Sequence, residues 1–211
     1  MKHRMKYDFM PQLTIDGSTG LEVVEKFRLL GIVFQTDLRW QSNTDYMCKK
    51  AYARLWMLRR LQRLGSTYNE LVDVYYKQIR CVLEQAVVVW EPNLTKSQSN
   101  QIERVQKCAL HIIMGKNYIN YEHARNYLNV EKLSIRRSQL CLTFAKKCEK
   151  HKKYLNWFNP AITKPNCVTR KEKPETKYKY TPVPFRKERF RRSPIPFLTQ
   201  ILNDHYSKKK K

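Results

Sequence analysis

Between Ser42 and Lys150 apolar residues recur every three or four positions, and that period commits this stretch to packed α-helices. Met47, Ala51, Leu55, Leu58 and Leu61 make one stripe, closed by Gly65, a residue suited to the left-handed backbone that ends a helix. Thr67-Tyr-Asn-Glu70 has the pattern of a capping box and opens a second helix, expected to run to Trp90 ahead of Pro92. Leu71, Val74, Tyr75, Ile79, Val82, Leu83 and Ala86 cover most of its circumference, so it is expected to be the most buried helix. A third runs from Thr95, with Gln98 three residues on, to Gly115, and buries Ile102, Val105, Ala109, Ile112 and Ile113. A short helix near 121–128 and a longer one over 134–150 complete a bundle with short connections.

The flanks read differently. Over 1–41 the pattern is β, with short runs at 11–17 and 21–24 and a third from Phe27 to Phe34. Gly31 lies inside that third run, where a glycine implies a bulge or a close backbone approach. Strands this few and short cannot stand alone, so the segment is expected to be the edge of something larger. After Lys153 the periodicity stops. Residues 160–192 hold most of the prolines and dense cations between aromatics, the composition of a largely disordered basic tail. A segment near 193–203 is apolar enough to dock back. The expected fold class is therefore mainly α: a small N-terminal β edge (1–41), an α-helical bundle (42–153) and a basic, partly disordered C-terminal tail (154–211).

The formal net charge is +24, from 42 lysines and arginines against 18 acidic residues. So large an excess opposes compaction, and it normally accompanies a polyanion, of which nucleic acid is the commonest. The six cysteines include no C-x-x-C pair and sit mostly at helical apolar positions, which suits reduced core thiols in an intracellular protein. Cys141, Cys148, His151 and Cys167 could be drawn as a zinc site, but their spacing fits no compact knuckle; no metal or cofactor is expected. Met1 to Phe9 is charged and lacks the apolar core of a signal peptide, and no apolar run reaches membrane length. Nucleus or cytoplasm is the expected location, with neither a membrane nor a small-molecule ligand as partner.

At about 100° per residue, Lys49, Trp56, Arg60 and Arg63 fall within roughly 60° of one another, opposite the Ala51/Leu55/Leu58 stripe. Arg59 flanks them. Cations around an aromatic can follow a phosphate backbone while the ring packs on sugars or stacks on bases; a solvated face with Trp56 packed on a neighbouring element gives the same pattern. Arg136 and Arg137 stand early in a helix, where cations oppose the dipole, and so are candidates for a phosphate or a carboxylate. Lys177, Lys179, Arg186, Lys187, Arg189, Arg191 and Arg192, with Tyr178, Tyr180, Phe185 and Phe190 among them, suit a flexible electrostatic arm or a nuclear-localisation segment. The sequence has no adjacent aspartate pair for two-metal nucleotidyl transfer, no P-loop and no His-Glu-x-x-His.

From Pro11 to Asn203 the chain resembles the C-terminal part of non-LTR retrotransposon reverse transcriptases. The resemblance is carried by Phe27-Arg-Leu-Leu-Gly31, Asp37-Leu-Arg-Trp40, Lys49-Lys-Ala-Tyr-Ala-Arg54, Leu58-Arg-Arg-Leu61 and Tyr75-Tyr-Lys-Gln-Ile-Arg80. Val89-Trp-Glu-Pro92, Ile102 to Leu110, Ile113-Met-Gly115, Leu133-Ser-Ile-Arg-Arg137 and Ser193-Pro-Ile-Pro-Phe197 follow in order. It implies that Phe27, Leu29, Leu30 and Gly31 belong to a primer-grip-like element at the palm–thumb border. The helices would form a thumb that grips template–primer duplex, with Lys49, Trp56, Arg59, Arg60, Arg63, Arg136 and Arg137 as nucleic-acid contacts. The partners implied are RNA, RNA–DNA or DNA duplex without sequence preference, and a polymerase core. The catalytic aspartates and the endonuclease of that family have no counterpart in this sequence, so the chain is expected to hold nucleic acid without copying it.

Overall fold

The computed structural model describes residues 14–15, 19–160 and 179–209. Most of the expected 11–17 strand, Cys167, Lys177 and Tyr178 lie outside them. The chain is mainly helical with a small β portion at its N-terminal end, as its periodicity requires. Two two-residue strands, β1 (Thr14–Ile15) and β2 (Thr19–Gly20), pair with each other. Next come β3 (Lys26–Leu29) and β4 (Ile32–Gln35), then the first long helix, α1 (Gln41–Arg63).

The run from Phe27 to Phe34 is thus not one strand but an antiparallel hairpin, with Phe27 opposite Phe34 and Leu29 opposite Ile32. Its loop is Leu30–Gly31, with positive φ at both residues (49° and 84°), as a two-residue turn matched to strand twist requires. A largely apolar run, interrupted only by Arg28 and Gly31, hid the turn. The close approach expected at Gly31 is present as well. A Cβ there would lie 2.6 Å from Nε2 of Gln85, the atom that donates to the Leu30 carbonyl at 2.9 Å.

Helix α1 starts without a side-chain cap from Trp40, whose backbone is left-handed. The Gln35 side chain substitutes, accepting from the Ser42 N–H at 2.8 Å, while Asn43 accepts from the Val33 N–H at 3.1 Å. These two bonds fix the hairpin to the helix. At the other end Gly65 (φ 82°) closes α1 with bonds from the Gly65 N–H to the Gln62 carbonyl and from the Ser66 N–H to the Leu61 carbonyl, a Schellman motif.

Both capping boxes form, Thr67 with Glu70 and Thr95 with Gln98. The helix expected over 67–90 is not continuous, however. It comprises α2 (Tyr68–Val74), a π-helical turn over Tyr75–Arg80, and α3 (Cys81–Glu84). A break at Gln85–Ala86 then precedes α4 (Val87–Trp90). At the break Ala86 is left-handed (φ 49°), and the Trp90 indole donates to the Gln85 carbonyl at 2.9 Å. The left-handed Ala86 ends the helix, and the Gln85 carbonyl accepts from Trp90 in place of a helical N–H. A third long helix, α5 (Lys96–Met114), packs along α1, and α6 (Tyr121–Tyr127) and α7 (Leu133–Lys150) follow. One apolar core joins Leu55 and Leu58 of α1, Tyr75, Ile79 and Leu83 before the break, Ile102 and Ala109 of α5, and Cys141 and Ala145 of α7.

The segment expected to dock near 193–203 does so, and neighbouring described residues join it. From Lys179 the chain is folded: α8 (Glu188–Arg191) leads into α9 (Pro194–Lys209), which packs on α7. Phe158, Tyr180, Leu198 and Leu202 bury in the same core, so docking extends well past the expected 193–203 segment. Asn203 pins the strand-like stretch at Tyr180 through both backbone groups, at 2.9 Å each. Glu149 of α7 accepts from Lys179 and from the hydroxyls of Tyr180 and Tyr206. Burial works to raise the Glu149 carboxyl, but these donors outweigh it and hold it below its ordinary value.

Two outcomes are expected. Gly31→Ala should destabilise the chain by about 1–2 kcal/mol in urea unfolding, the cost of a Cβ at left-handed φ, more if Gln85 is displaced. Because Glu149 has a lowered folded pKa, its stabilisation is full above the unfolded carboxylate value and is lost as pH falls through the folded one. Proteolysis of the 179–209 segment should therefore accelerate on acidification, and a Glu149→Gln variant should be fast already at neutral pH.

Candidate nucleic-acid interface

The side chains of α1 divide sharply between two faces. Ala51, Leu55 and Leu58 are buried, whereas Lys49, Arg59, Arg60 and Arg63 are exposed and make no ion pair or side-chain hydrogen bond with any described residue. Trp56 stands among them at 56% exposure. The structure therefore brings together the five α1 residues singled out from sequence, with the indole on the surface rather than packed on a neighbouring element. The helix that carries them is held along its opposite face by the core, so the row is fixed in direction.

Arg136 and Arg137 are placed elsewhere. Arg137 is fully buried; its Nε donates to Glu91 at 2.5 Å and its Nη2 to Ser99 at 2.7 Å. Arg136 donates to Glu84 at 3.3 Å, on a carboxylate that Arg80 approaches to 3.4 Å. Neither arginine belongs to the exposed row, and the carboxylate alternative is the one realised. Sequence left the choice open because Glu84 and Glu91 lie about fifty positions away. Burial raises the Glu91 carboxyl, and the Arg137 guanidinium works against that shift. The pair is a buried structural bond joining α7 to the turn after α4.

In the hairpin, Phe27 and Leu29 are each half exposed and Leu30 is 87% exposed, with Phe27 stacked on Phe34 at 5.2 Å between ring centroids. Phe27, Leu29 and Leu30 thus form an exposed apolar tip of the hairpin, which is tied back by Gln85 and Asn43. Among the C-terminal cations, Lys179 is bound to Glu149, while Arg191 and Arg192 both reach Glu188. Arg186 and Lys187 are exposed.

Cys48, Cys141 and Cys148 are buried, and burial pushes the Cys48 and Cys141 thiols up, to about 11 and about 12. Cys81 and Cys108 are exposed, against the expectation of core thiols. Among the described residues no group of three His, Cys, Asp or Glu side chains could hold a metal ion, and no helix is long and apolar enough to cross a membrane. What sequence reasoning missed is the contribution of α5. Tyr52 of α1 lies against Cys108 and near Arg104, so the outward faces of the two helices are continuous.

Fold and surface together define a helical bundle with a cationic face centred on a tryptophan. No known family, curated protein or solved structure matches the chain.

The two arginines of α7 should separate from those of α1 in a stability measurement. Removing Arg137 leaves the Glu91 charge buried and alone, so Arg137→Ala should cost about 3–5 kcal/mol in urea unfolding. Arg136→Ala, a partly exposed pair, should cost under about 1 kcal/mol.

Proposed function

We propose that this chain binds nucleic acid through the outward face of α1, as the thumb-like, C-terminal part of a retrotransposon RNA-directed DNA polymerase, and that it grips template–primer duplex without regard to sequence. The observation that carries this reading is the row of Lys49, Arg59, Arg60 and Arg63 around the exposed Trp56, with no carboxylate paired to any of the four among the described residues. Glu84, Glu91 and Glu149 are engaged by other basic side chains, so the field of the α1 face is left uncancelled. A polyanion supplies the missing counter-charge, and the indole offers a flat surface for sugars or bases. The ordered motifs from Phe27 to Phe197 supply the particular family. No catalytic step is assigned to the residues of this chain; their contribution is grip.

A second reading keeps the grip but has this chain serve a polymerase core on another polypeptide. The apolar hairpin tip favours it, because Phe27, Leu29 and Leu30 are exposed. Co-purification with a palm-containing protein, lost on Leu30→Asp, is the expected outcome; a monodisperse monomer in extract would exclude it.

Charge reversal at Arg60 and Arg63 tests the first reading. Each lost phosphate contact removes about 0.9 from the slope of log affinity against log salt, so the double variant should lower the slope by roughly 2. Its unfolding midpoint should stay unchanged, since both side chains are exposed. Unaltered duplex affinity in fluorescence anisotropy would sink the assignment.

A further inference from the structure

α1 does not present its cations alone. Three contacts fix how α5 lies beside it: Gln101 donates to Asp45 at 2.8 Å, Tyr52 meets Cys108, and the Gln62 amide fills the space beside Gly115. The partners advance along both chains in the same order, so the helices run parallel and in register. Lys49 is then level with Arg104, and Arg60 with Lys116 in the turn that ends α5. Arg104, Lys107 and Lys116 are exposed, and like the α1 row they have no ion-pair partner among the described residues. The acidic residues nearest them are turned to other work. Glu103 accepts from the Tyr121 hydroxyl and from the Leu133 N–H, and Asp45 is held by the amides of Gln41 and Gln101. Beside Arg104 and Lys107 the surface dips into a depression of about 250 Å³ that Asn100, Tyr121 and the hydrogen-bonded Glu103 also line.

Resting on the proposed grip at α1, we infer that α5 carries a second phosphate-binding row, Arg104, Lys107 and Lys116, and that the two rows engage the two backbones of one duplex. Packed helices lie about 8–10 Å apart, and their outward cations splay further. That separation exceeds the roughly 6 Å minor groove of B-form DNA and suits the wide, shallow minor groove of an A-form helix, whose two backbones flank it. Tyr52 lies between the rows and Trp56 within the α1 row, where sugars would be. A single strand reaches one row at a time. The row with the exposed indole, on α1, is the better platform for it, because unpaired bases can stack there.

The test compares an RNA duplex with its isolated strand, each fluorescently labelled, against the full chain over a salt series. Arg104→Glu with Lys107→Glu should weaken duplex binding at least tenfold near ~0.1 M salt and lower its slope by roughly 2. Single-strand affinity should change less than threefold. A charge-matched variant off the face, Lys152→Glu with Lys153→Glu, should change duplex affinity far less. Equal losses for duplex and single strand, or losses equal to those of the charge-matched control, would overturn the second row. Retained duplex binding in the α5 variant alongside a loss in the Arg60/Arg63 variant would overturn it too, while leaving the α1 grip standing. No loss from either pair would overturn both. If the glutamates impair folding, as circular dichroism would show, Arg104→Gln with Lys107→Gln gives the same comparison with a smaller effect.

Discussion

The structure depends on the burial of one stripe of α1 against α5. Ala51, Leu55 and Leu58 on one helix and Ile102, Val105 and Ala109 on the other are essentially without exposure. Burial of large apolar side chains at about 1.5–3 kcal/mol each makes this seam the dominant favourable contact of the bundle. It also sets the surface. Once the stripe faces inward, the helical period leaves Lys49, Trp56, Arg60 and Arg63 no direction but outward. The hairpin, the broken second helix and α7 are then arranged around the pair.

A chain this basic has to place its few carboxylates with care. Several are used in the interior or at half-buried junctions: Glu91 with Arg137, Glu84 with Arg80 and Arg136, and Glu149 with Lys179 and two tyrosines. Another polar chain runs through Tyr75, Gln106, Tyr121 and Glu103, linking the π-helical turn to α5 and α6. A buried polar group left unpaired costs about 1–3 kcal/mol, and these acceptors meet most of the guanidinium and hydroxyl groups that enter the core, although Nη1 of Arg137 has no hydrogen-bond partner among the described residues. The consequence lies outside. Acidic residues committed to those junctions do not neutralise the α1 and α5 faces, so interior satisfaction and exterior charge are two results of one distribution.

Much of this was legible in the sequence because it rests on short-range rules. Thr67 with Glu70 and Thr95 with Gln98 are three residues apart, Gly65 follows the last turn of α1, and the apolar stripes repeat at helical spacing. The five α1 surface residues follow from the same period. The misjudged places are those where a distant partner overrides a local pattern. The largely apolar run from Phe27 to Phe34 turns at Leu30–Gly31, where Gln85, more than fifty positions away, holds the Leu30 carbonyl. That same glutamine and the Trp90 indole interrupt a segment whose residues would otherwise extend as one helix.

The sequence by itself determined the helices α1, α5, α6 and α7, where most of them begin and end, and which side of α1 carries charge, since each is governed by neighbours within a few residues. Only the tertiary structure decided that Arg137 turns inward, that Lys179 and Tyr180 are held by Glu149 and Asn203, and that α5 lies parallel to α1 so that their cations share one surface. Those outcomes depend on which groups meet across the fold: a guanidinium at Glu91, a carboxylate ringed by Lys179, Tyr180 and Tyr206, two helices in register through Asp45–Gln101 and Gln62–Gly115. Local periodicity fixes the direction of each side chain from its own helix, but not what stands opposite it.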